Sequence, residues 1–182
     1  RKELLKRMGL SFSVVAPGVQ EERTSISGAA PDAPLRKLAL DKAHSVAAQH
    51  PDALVLGADT VVVVGGDVLG KPDGPESARQ MLRALSGRTH TVWSGVALVC
   101  ASCAFEAAEA VATSVTFRRI GDEELEEYLS RAPYRDKAGA YGIQDAAMVF
   151  VEKIDGCYYN VVGLPVTATV RLLSAYERRK DE

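Results

Sequence analysis

Asp59 is the residue whose position is hardest to explain by structure alone. It interrupts residues 54–64, an otherwise chargeless apolar run of the kind that forms central β-strands. Strands disfavour aspartate, and a buried carboxylate without compensation costs several kcal/mol. The carboxylate therefore needs a metal ion, a cationic side chain or a hydrated cleft beside it. We predict that Asp59 is a functional carboxylate; the alternative is a structural ion pair.

Two lysines could act on the same ligand as this carboxylate. Lys42 lies within an apolar stripe of a predicted helix, and Lys71 lies between Gly70 and Pro72, which restrict the backbone. Two ammonium groups and a carboxylate around one cleft would suit a polyphosphate with a divalent ion. The alternatives are a snorkelling Lys42 and a Lys71 that is simply exposed on a turn. Because Lys42 places a charge in an apolar stripe, we expect Lys42→Ala to leave the protein folded.

Further polar residues lie in two loops. Glu21 and Glu22 could join Asp59 in supplying the hard oxygen ligands that magnesium prefers, or could form an ordinary acidic loop. Gln144 ends a glycine-containing loop, and its amide offers both a donor and an acceptor, as reading the edge of a base requires. Cys100 and the cysteine three residues later have no second ligand pair, so we interpret them as structural.

Interleaved helices and strands must position these residues, which indicates an α/β fold with a mixed sheet. Apolar periodicity, caps and turn residues predict helices at 1–8, 32–49, 73–85, from 122 and from 165. They predict strands at 10–16, 52–64, 68–69, 91–100, 106–117 and 149–154, with a turn or short strand at 156–162.

Composition excludes several classes of protein. The 182 residues fit one domain, and 22 basic against 24 acidic residues lack the positive charge expected of a protein that binds duplex nucleic acid. No apolar stretch reaches the roughly 20 residues of a membrane-spanning helix, and no signal segment begins the chain. We therefore expect a cytoplasmic protein without nucleic-acid or membrane partners.

Collinear short segments of the chain resemble the Maf family of nucleotide pyrophosphatases. These segments are 1–5, 19–22, 42–43, 57–60, 69–72, 85–90, 137–144 and 160–165. The resemblance implies an elongated, twisted mixed sheet flanked by helices, with two lobes around a central cleft, and a homodimer. The form of segment 137–144 resembles the branch that hydrolyses dTTP and UTP to the monophosphate and pyrophosphate, rather than the branch acting on 7-methyl-GTP.

The resemblance also implies roles for individual residues. Asp59 matches the proton acceptor, and Lys71 and Lys42 match lysines that handle phosphate. Glu21, together with Asp59, is implied to bind Mg²⁺ or Mn²⁺. The residues implied to bind the nucleoside triphosphate are Arg1, Thr60 and Gln144.

One departure from the family pattern lies at the start of the chain. The family opens with a strand and a Ser-x-Ser-Pro-Arg-Arg loop, whereas this sequence begins at the position of the last arginine, Arg1. We expect residues 1–182 to form a single Maf-like domain that lacks this strand and loop. Two alternatives stay open: an inosine-triphosphate-type pyrophosphatase, and a non-catalytic regulator of septum formation and cell division.

Overall fold

The computed structural model describes residues 1–18 and 31–180. Glu21 and Glu22 therefore lie outside the described residues. The helices in the described ranges are α1 (Lys2–Arg7), α2 (Asp32–Ala47), α3 (Pro75–Leu85), α4 (Asp122–Arg131), α5 (Tyr158–Val162) and α6 (Val166–Lys180), with 3₁₀ turns at Ala138–Ala140 and Ala146–Phe150. The strands are β1 (Val55–Val64), β2 (Asp67–Leu69), β3 (Thr89–Cys100), β4 (Phe105–Phe117) and β5 (Val151–Asp155).

The strands in these ranges form one sheet in the order β2-β1-β3-β4-β5. Helices packed on a sheet confirm the α/β class. The sequence predicted a mixed sheet, whereas the four strand pairings in the described ranges are all antiparallel. Gly65 and Gly66, with φ of 62° and 94°, form the tight turn between β1 and β2. This β2 pairs only with Val62–Val64, so the preceding part of β1 forms a sheet edge in the described ranges.

Helix α2 packs directly against β1 and β3, because glycines remove the side chains that would hold it away. A Cβ atom built on Gly57 would lie 2.2 Å from the Ala39 carbonyl oxygen. One built on Gly95 would lie 2.3 Å from the Leu35 carbonyl oxygen. The close approach places the middle turns of α2 over the β1 segment that contains Asp59.

Alternation along the strands divides the core between the two faces of the sheet. Val61 and Val63 pack with Leu35 of α2 on one face. The opposite face packs against the other helices and forms two clusters. Their larger buried members are Leu82, Leu85, Phe117, Leu125 and Phe150 in one, and Leu4, Leu98, Leu164 and Leu172 in the other. Across the described ranges, no helix is long and apolar enough to cross a membrane.

Two sequence predictions of local structure are wrong. Residues 10–16 alternate apolar and polar side chains but do not form a strand, and their side chains are exposed. Residues 158–162 form helix α5 rather than a turn or strand, although Tyr and Val favour strands. The fully buried Asn160 explains the helix, since its amide nitrogen contacts Val92 O, Val111 O and Thr113 Oγ1 at 3.0–3.1 Å.

Candidate active site

A buried ion pair joins α2 to β1 at the centre of the site. Lys42 Nζ lies 2.8 Å from Asp59 Oδ1, and the two residues are only 7% and 3% exposed. Asp59 therefore does form an ion pair, as the alternative interpretation expected. The ion pair does not exclude function, because Asp59 also lines a cavity.

The cavity has a volume of about 370 Å³ and lies at the free edge of β1. It is bordered by the β1 edge, the turn after β2, the 136–145 loop and the end of α5. Most of the residues predicted from the sequence lie on its wall: Arg1, Asp59, Thr60, Lys71 and Gln144. Lys42 reaches the site through Asp59, and the structure does not describe Glu21.

The Lys42–Asp59 pair reverses one expectation from the sequence. Lys42 does not carry an isolated charge in an apolar stripe, since its ammonium group compensates a buried carboxylate. Removing one partner of a buried ion pair is strongly destabilising. We therefore expect Lys42→Ala to weaken the fold, contrary to the prediction made from helical periodicity.

Arg1 is held against the cavity wall by a chain of hydrogen bonds. Its Nε donates to the Gly163 carbonyl oxygen at 2.7 Å, and its Nη2 donates to Thr60 Oγ1 at 3.2 Å. Thr60 Oγ1 lies 2.8 Å from Ser94 Oγ on the neighbouring strand. The guanidinium is thus oriented by β1 and by the end of α5, while Arg1 itself is largely exposed.

Lys71 differs from Lys42 because it is exposed within the cavity. It directly follows Gly70, whose carbonyl oxygen accepts a hydrogen bond from Gly139 N at 2.9 Å. Gly139 has a φ of 68° and fits closely against Val62, where a Cβ atom would meet Cγ2 at 3.1 Å. The Lys71 turn and the loop that leads to Gln144 are consequently fixed to each other.

The loop before Gln144 is also anchored in the core. Tyr141 lines the cavity, and its hydroxyl lies 2.8 Å from Nε2 of the buried His90. Burial lowers the pKa of His90 to about 4, so the imidazole is neutral at pH 7. Burial also raises the pKa of Tyr141. Gln144 itself is exposed on the cavity wall, next to the buried Ile143.

Sequence reasoning missed several polar residues at the site. Ser94 had the same signal as Asp59, a polar residue inside an apolar strand, and it pairs in register with Thr60. Lys137 and Asp145 form an ion pair of 3.2 Å on the cavity wall. No local pattern distinguishes these two from other charged residues in loops.

The cavity offers a limited set of metal ligands. Residues 1–18 and 31–180 contain no group of three or more His, Cys, Asp or Glu side chains that could hold a metal ion. Asp59 supplies a hard carboxylate oxygen at the cavity. Magnesium commonly binds through one or two carboxylates together with substrate phosphates and water, so this donor set fits an ion that is bound with a phosphorylated ligand.

Comparison with known proteins identifies the family of this chain. The model of the Maf-like protein family matches residues 1–176. The chain belongs to the Maf family. The match spans all the cavity residues named above, so the resemblance found in short motifs holds over nearly the whole chain.

Named relatives of this Maf family member share a single description. A dTTP/UTP pyrophosphatase of Moorella thermoacetica is 47% identical over 176 residues, which cover 97% of this chain and 90% of the relative. A dTTP/UTP pyrophosphatase of Dictyoglomus thermophilum is 42% identical, covering 96% and 90%. One of Symbiobacterium thermophilum is 44% identical, covering 97% and 89%.

Proposed function

We propose that this protein hydrolyses dTTP and UTP to the nucleoside monophosphate and pyrophosphate. The observation that carries the proposal is the gathering of Asp59, Lys71 and Arg1 around one cavity, in a chain whose relatives are named dTTP/UTP pyrophosphatases. A volume of about 370 Å³ lies in the range usual for small-molecule sites. The mixture of cationic and carboxylate groups suits a triphosphate better than an apolar ligand.

The charged groups divide between phosphate binding and proton transfer. Lys71 and Arg1 are exposed cations that can contact phosphate oxygens as negative charge develops. Asp59 accepts the proton of the attacking water, which displaces pyrophosphate from the α phosphorus. Lys42 orients the Asp59 carboxylate through the 2.8 Å contact and adds positive charge behind it.

A divalent cation, Mg²⁺ or Mn²⁺, belongs to this proposal. Asp59 would hold it together with Glu21, which lies outside the described residues, and with the phosphates of the substrate. The bound ion would neutralise phosphate oxygens and lower the pKa of a bound water molecule. Because Lys42 already lies against Asp59, we expect the ion to bind mainly as its complex with the nucleotide.

Gln144 and Thr60 select the base in this account. The glutamine amide presents a donor and an acceptor that match the carbonyl and N–H edge of uracil or thymine. Guanine and hypoxanthine offer a similar carbonyl and N–H edge, but the larger purine ring holds it farther from the ribose. An amide held in one position therefore pairs with the pyrimidine edge and leaves polar groups unpaired when a purine binds, which is costly. Thr60 contributes indirectly, because its hydroxyl holds the Arg1 guanidinium on the cavity wall.

Turnover of a nucleotide panel tests the proposed function. With Mg²⁺ or Mn²⁺ present, we expect dTTP and UTP to be used in preference to ITP and 7-methyl-GTP, with the monophosphate and pyrophosphate as products. Preference for ITP would favour the inosine-triphosphate-type alternative. Absence of turnover with all four nucleotides, in a protein that is folded by circular dichroism, would favour the non-catalytic regulator.

The assembly and location of the protein complete the proposal. We propose a homodimer in the cytoplasm, where nucleoside triphosphates are used, without nucleic-acid or membrane partners. Near balance of 22 basic and 24 acidic residues supports the absence of a nucleic-acid partner. Light scattering during size-exclusion chromatography tests the dimer, which a mass equal to one 19.5 kDa chain would contradict.

A further inference from the structure

Lys137 is a third cation on the cavity wall, but its ammonium group already has protein partners. Nζ lies 2.7 Å from Pro133 O, 3.0 Å from Asp136 Oδ1 and 3.2 Å from Asp145 Oδ2. The first two contacts are hydrogen bonds and the third is an ion pair, so the charge of Lys137 is already compensated within the loop. Lys137 is therefore not available to bind phosphate in the way that the exposed Lys71 is.

These contacts have opposing effects on the protonation of Lys137. Burial would lower the pKa of its ammonium group, but hydrogen bonds and charge attraction from Asp136 and Asp145 outweigh burial and raise it. The hydrogen bond from Lys137 is in turn the main cause that lowers the pKa of Asp136. Asp136 and Lys137 thus each favour the charged form of the other, and Asp145 lies against the same ammonium group.

The Lys137–Asp145 pair, which we term the clamp, lies directly against the backbone of Gly142. A Cβ atom on Gly142 would lie 2.4 Å from Asp145 Oδ2 and 2.5 Å from Lys137 Cε. Any larger residue at this position would have to displace the two clamp side chains. Asp145 N also donates to Gly142 O at 3.0 Å, closing a turn.

Gln144 lies inside this turn, directly before the clamped Asp145. On its other side, Ile143 is buried in the core. The peptide of Gln144 is therefore fixed at both ends, while its side chain is exposed on the cavity wall. A fixed backbone reduces the number of positions that a flexible amide can occupy, which favours selective binding.

We propose that the clamp between Lys137 and Asp145 determines base selection by holding the Gln144 amide in the cavity. The inference rests on the proposed function. Both clamp residues act as positioning residues, because their charged groups bind each other rather than the nucleotide. Opening the clamp should release the turn and let Gln144 accommodate purines as well as pyrimidines.

Two variants open the clamp with little change of shape: Asp145→Asn removes the charge, and Lys137→Met keeps most of the alkyl chain. We expect the ratio of kcat/KM for UTP to that for GTP to fall about tenfold in each. The loss should come from a higher KM for UTP and a lower KM for GTP, with kcat for UTP retained. The matched control is Arg131→Met, which removes an exposed ion pair of 2.8 Å with Glu127 on α4 and should leave the ratio unchanged.

A double-mutant cycle distinguishes positioning from a general effect on the fold. If the clamp acts through Gln144, adding Asp145→Asn to Gln144→Ala should change the UTP to GTP ratio by less than about twofold. Independent effects, in which the two ratios multiply, would overturn the proposal. So would a UTP to GTP ratio that stays at the wild-type value in both clamp variants.

Calorimetric binding of UMP and GMP separates this inference from the proposed function, because it needs no turnover. Loss of UMP preference in the clamp variants supports the clamp even if the wild-type protein fails to hydrolyse UTP. If the wild-type protein and the clamp variants all hydrolyse UTP and all still prefer UMP to GMP, the clamp proposal is overturned and the proposed function stands. A wild-type protein that binds UMP and GMP equally overturns base selection and the clamp together.

Discussion

At the scale of single residues, the two lysines predicted from the sequence occupy different environments. Lys42 is buried and paired with Asp59, whereas Lys71 is exposed in the cavity. Removing a buried lysine beside a buried carboxylate leaves that charge uncompensated, so Lys42 matters for stability as well as for the charge of the site. Lys71 is exposed on the cavity wall, so its charge is available to a ligand and its removal should cost little stability. The two residues should therefore respond differently to the same substitution.

Lys42→Ala should destabilise the protein by about 3–5 kcal/mol, because it removes the cation beside a buried carboxylate. Urea unfolding followed by circular dichroism measures this loss. The matched control is Lys37→Ala on the same helix, where an exposed lysine lies 2.6 Å from Asp41 and the expected change is within about 0.5 kcal/mol. Equal unfolding midpoints for Lys42→Ala and the wild-type protein would contradict the structural role.

Lys71→Ala should lower kcat/KM for UTP by on the order of 10²-fold, since it removes a cation from developing negative charge. Its unfolding midpoint should match that of the wild-type protein. Lys153→Ala, at an exposed position on β5, is the control and should have wild-type kinetics. Kinetics of Lys71→Ala that match those of this control would remove Lys71 from phosphate binding.

At the scale of secondary structure, the sequence predicts those helices and strands whose caps and turns lie next to them in the sequence. Helix α3 was predicted at 73–85, and the structure has it at Pro75–Leu85. The sequence also predicts strands at 52–64 and 68–69, which form the β1–β2 hairpin, and Gly65 and Gly66 adopt the positive φ angles of its turn. These elements depend on caps and turns that lie within a few residues of one another.

Elements that depend on distant partners were not predictable in this way. Helix α5 contains strand-favouring residues, and its conformation depends on Asn160 contacts with β3 and β4, more than 40 positions away. The clamp similarly joins Lys137 to a carboxylate across a turn whose path the sequence does not specify. In the site, the conspicuous Asp59 could be found from sequence, whereas its pairing with Lys42 required the packing of α2 on β1.

Gly57→Ala tests that packing. A Cβ atom would lie 2.2 Å from the Ala39 carbonyl oxygen and 2.9 Å from Ala43 N, both backbone atoms of α2. The helix must shift, so we expect a loss of about 3 kcal/mol in stability, at the upper end for overpacking. Because α2 also carries Lys42, turnover should fall as well.

The control for this substitution is Gly18→Ala, since a Cβ atom there meets no atom of residues 1–18 or 31–180 within 4 Å. It should leave the unfolding midpoint within about 0.5 kcal/mol of the wild-type value. If Gly57→Ala were as stable as Gly18→Ala, the close packing of α2 on β1 would be incorrect.

At the scale of the whole molecule, the buried His90 makes stability depend on pH. Its pKa is about 4 in the folded protein because of burial, against about 6.5 for an unfolded histidine. Between these values the unfolded chain binds more protons than the folded one, so stability falls as the pH falls. The full effect of this one group is about 3 kcal/mol between pH 7 and pH 4.

Unfolding free energies measured from pH 7 to pH 4 check this dependence. His90→Gln should unfold with a smaller pH slope, even if the variant is less stable at pH 7. His50→Gln, at an exposed position, is the control for the loss of a histidine side chain. A wild-type slope that is retained in His90→Gln would show that other groups cause the acid sensitivity.

The central claim is that the Asp59 cavity directs water to the α phosphorus of a pyrimidine triphosphate. Hydrolysis of UTP in ¹⁸O-labelled water, followed by mass spectrometry of the products, tests it most directly. We predict that the label appears in UMP and not in pyrophosphate. We also predict that Asp59→Asn lowers turnover by more than about 10²-fold, whereas the control Asp41→Asn, on the exposed surface of α2, keeps wild-type turnover. Orthophosphate and UDP as products, label in pyrophosphate, or Asp59→Asn turnover within about tenfold of wild type would contradict the account.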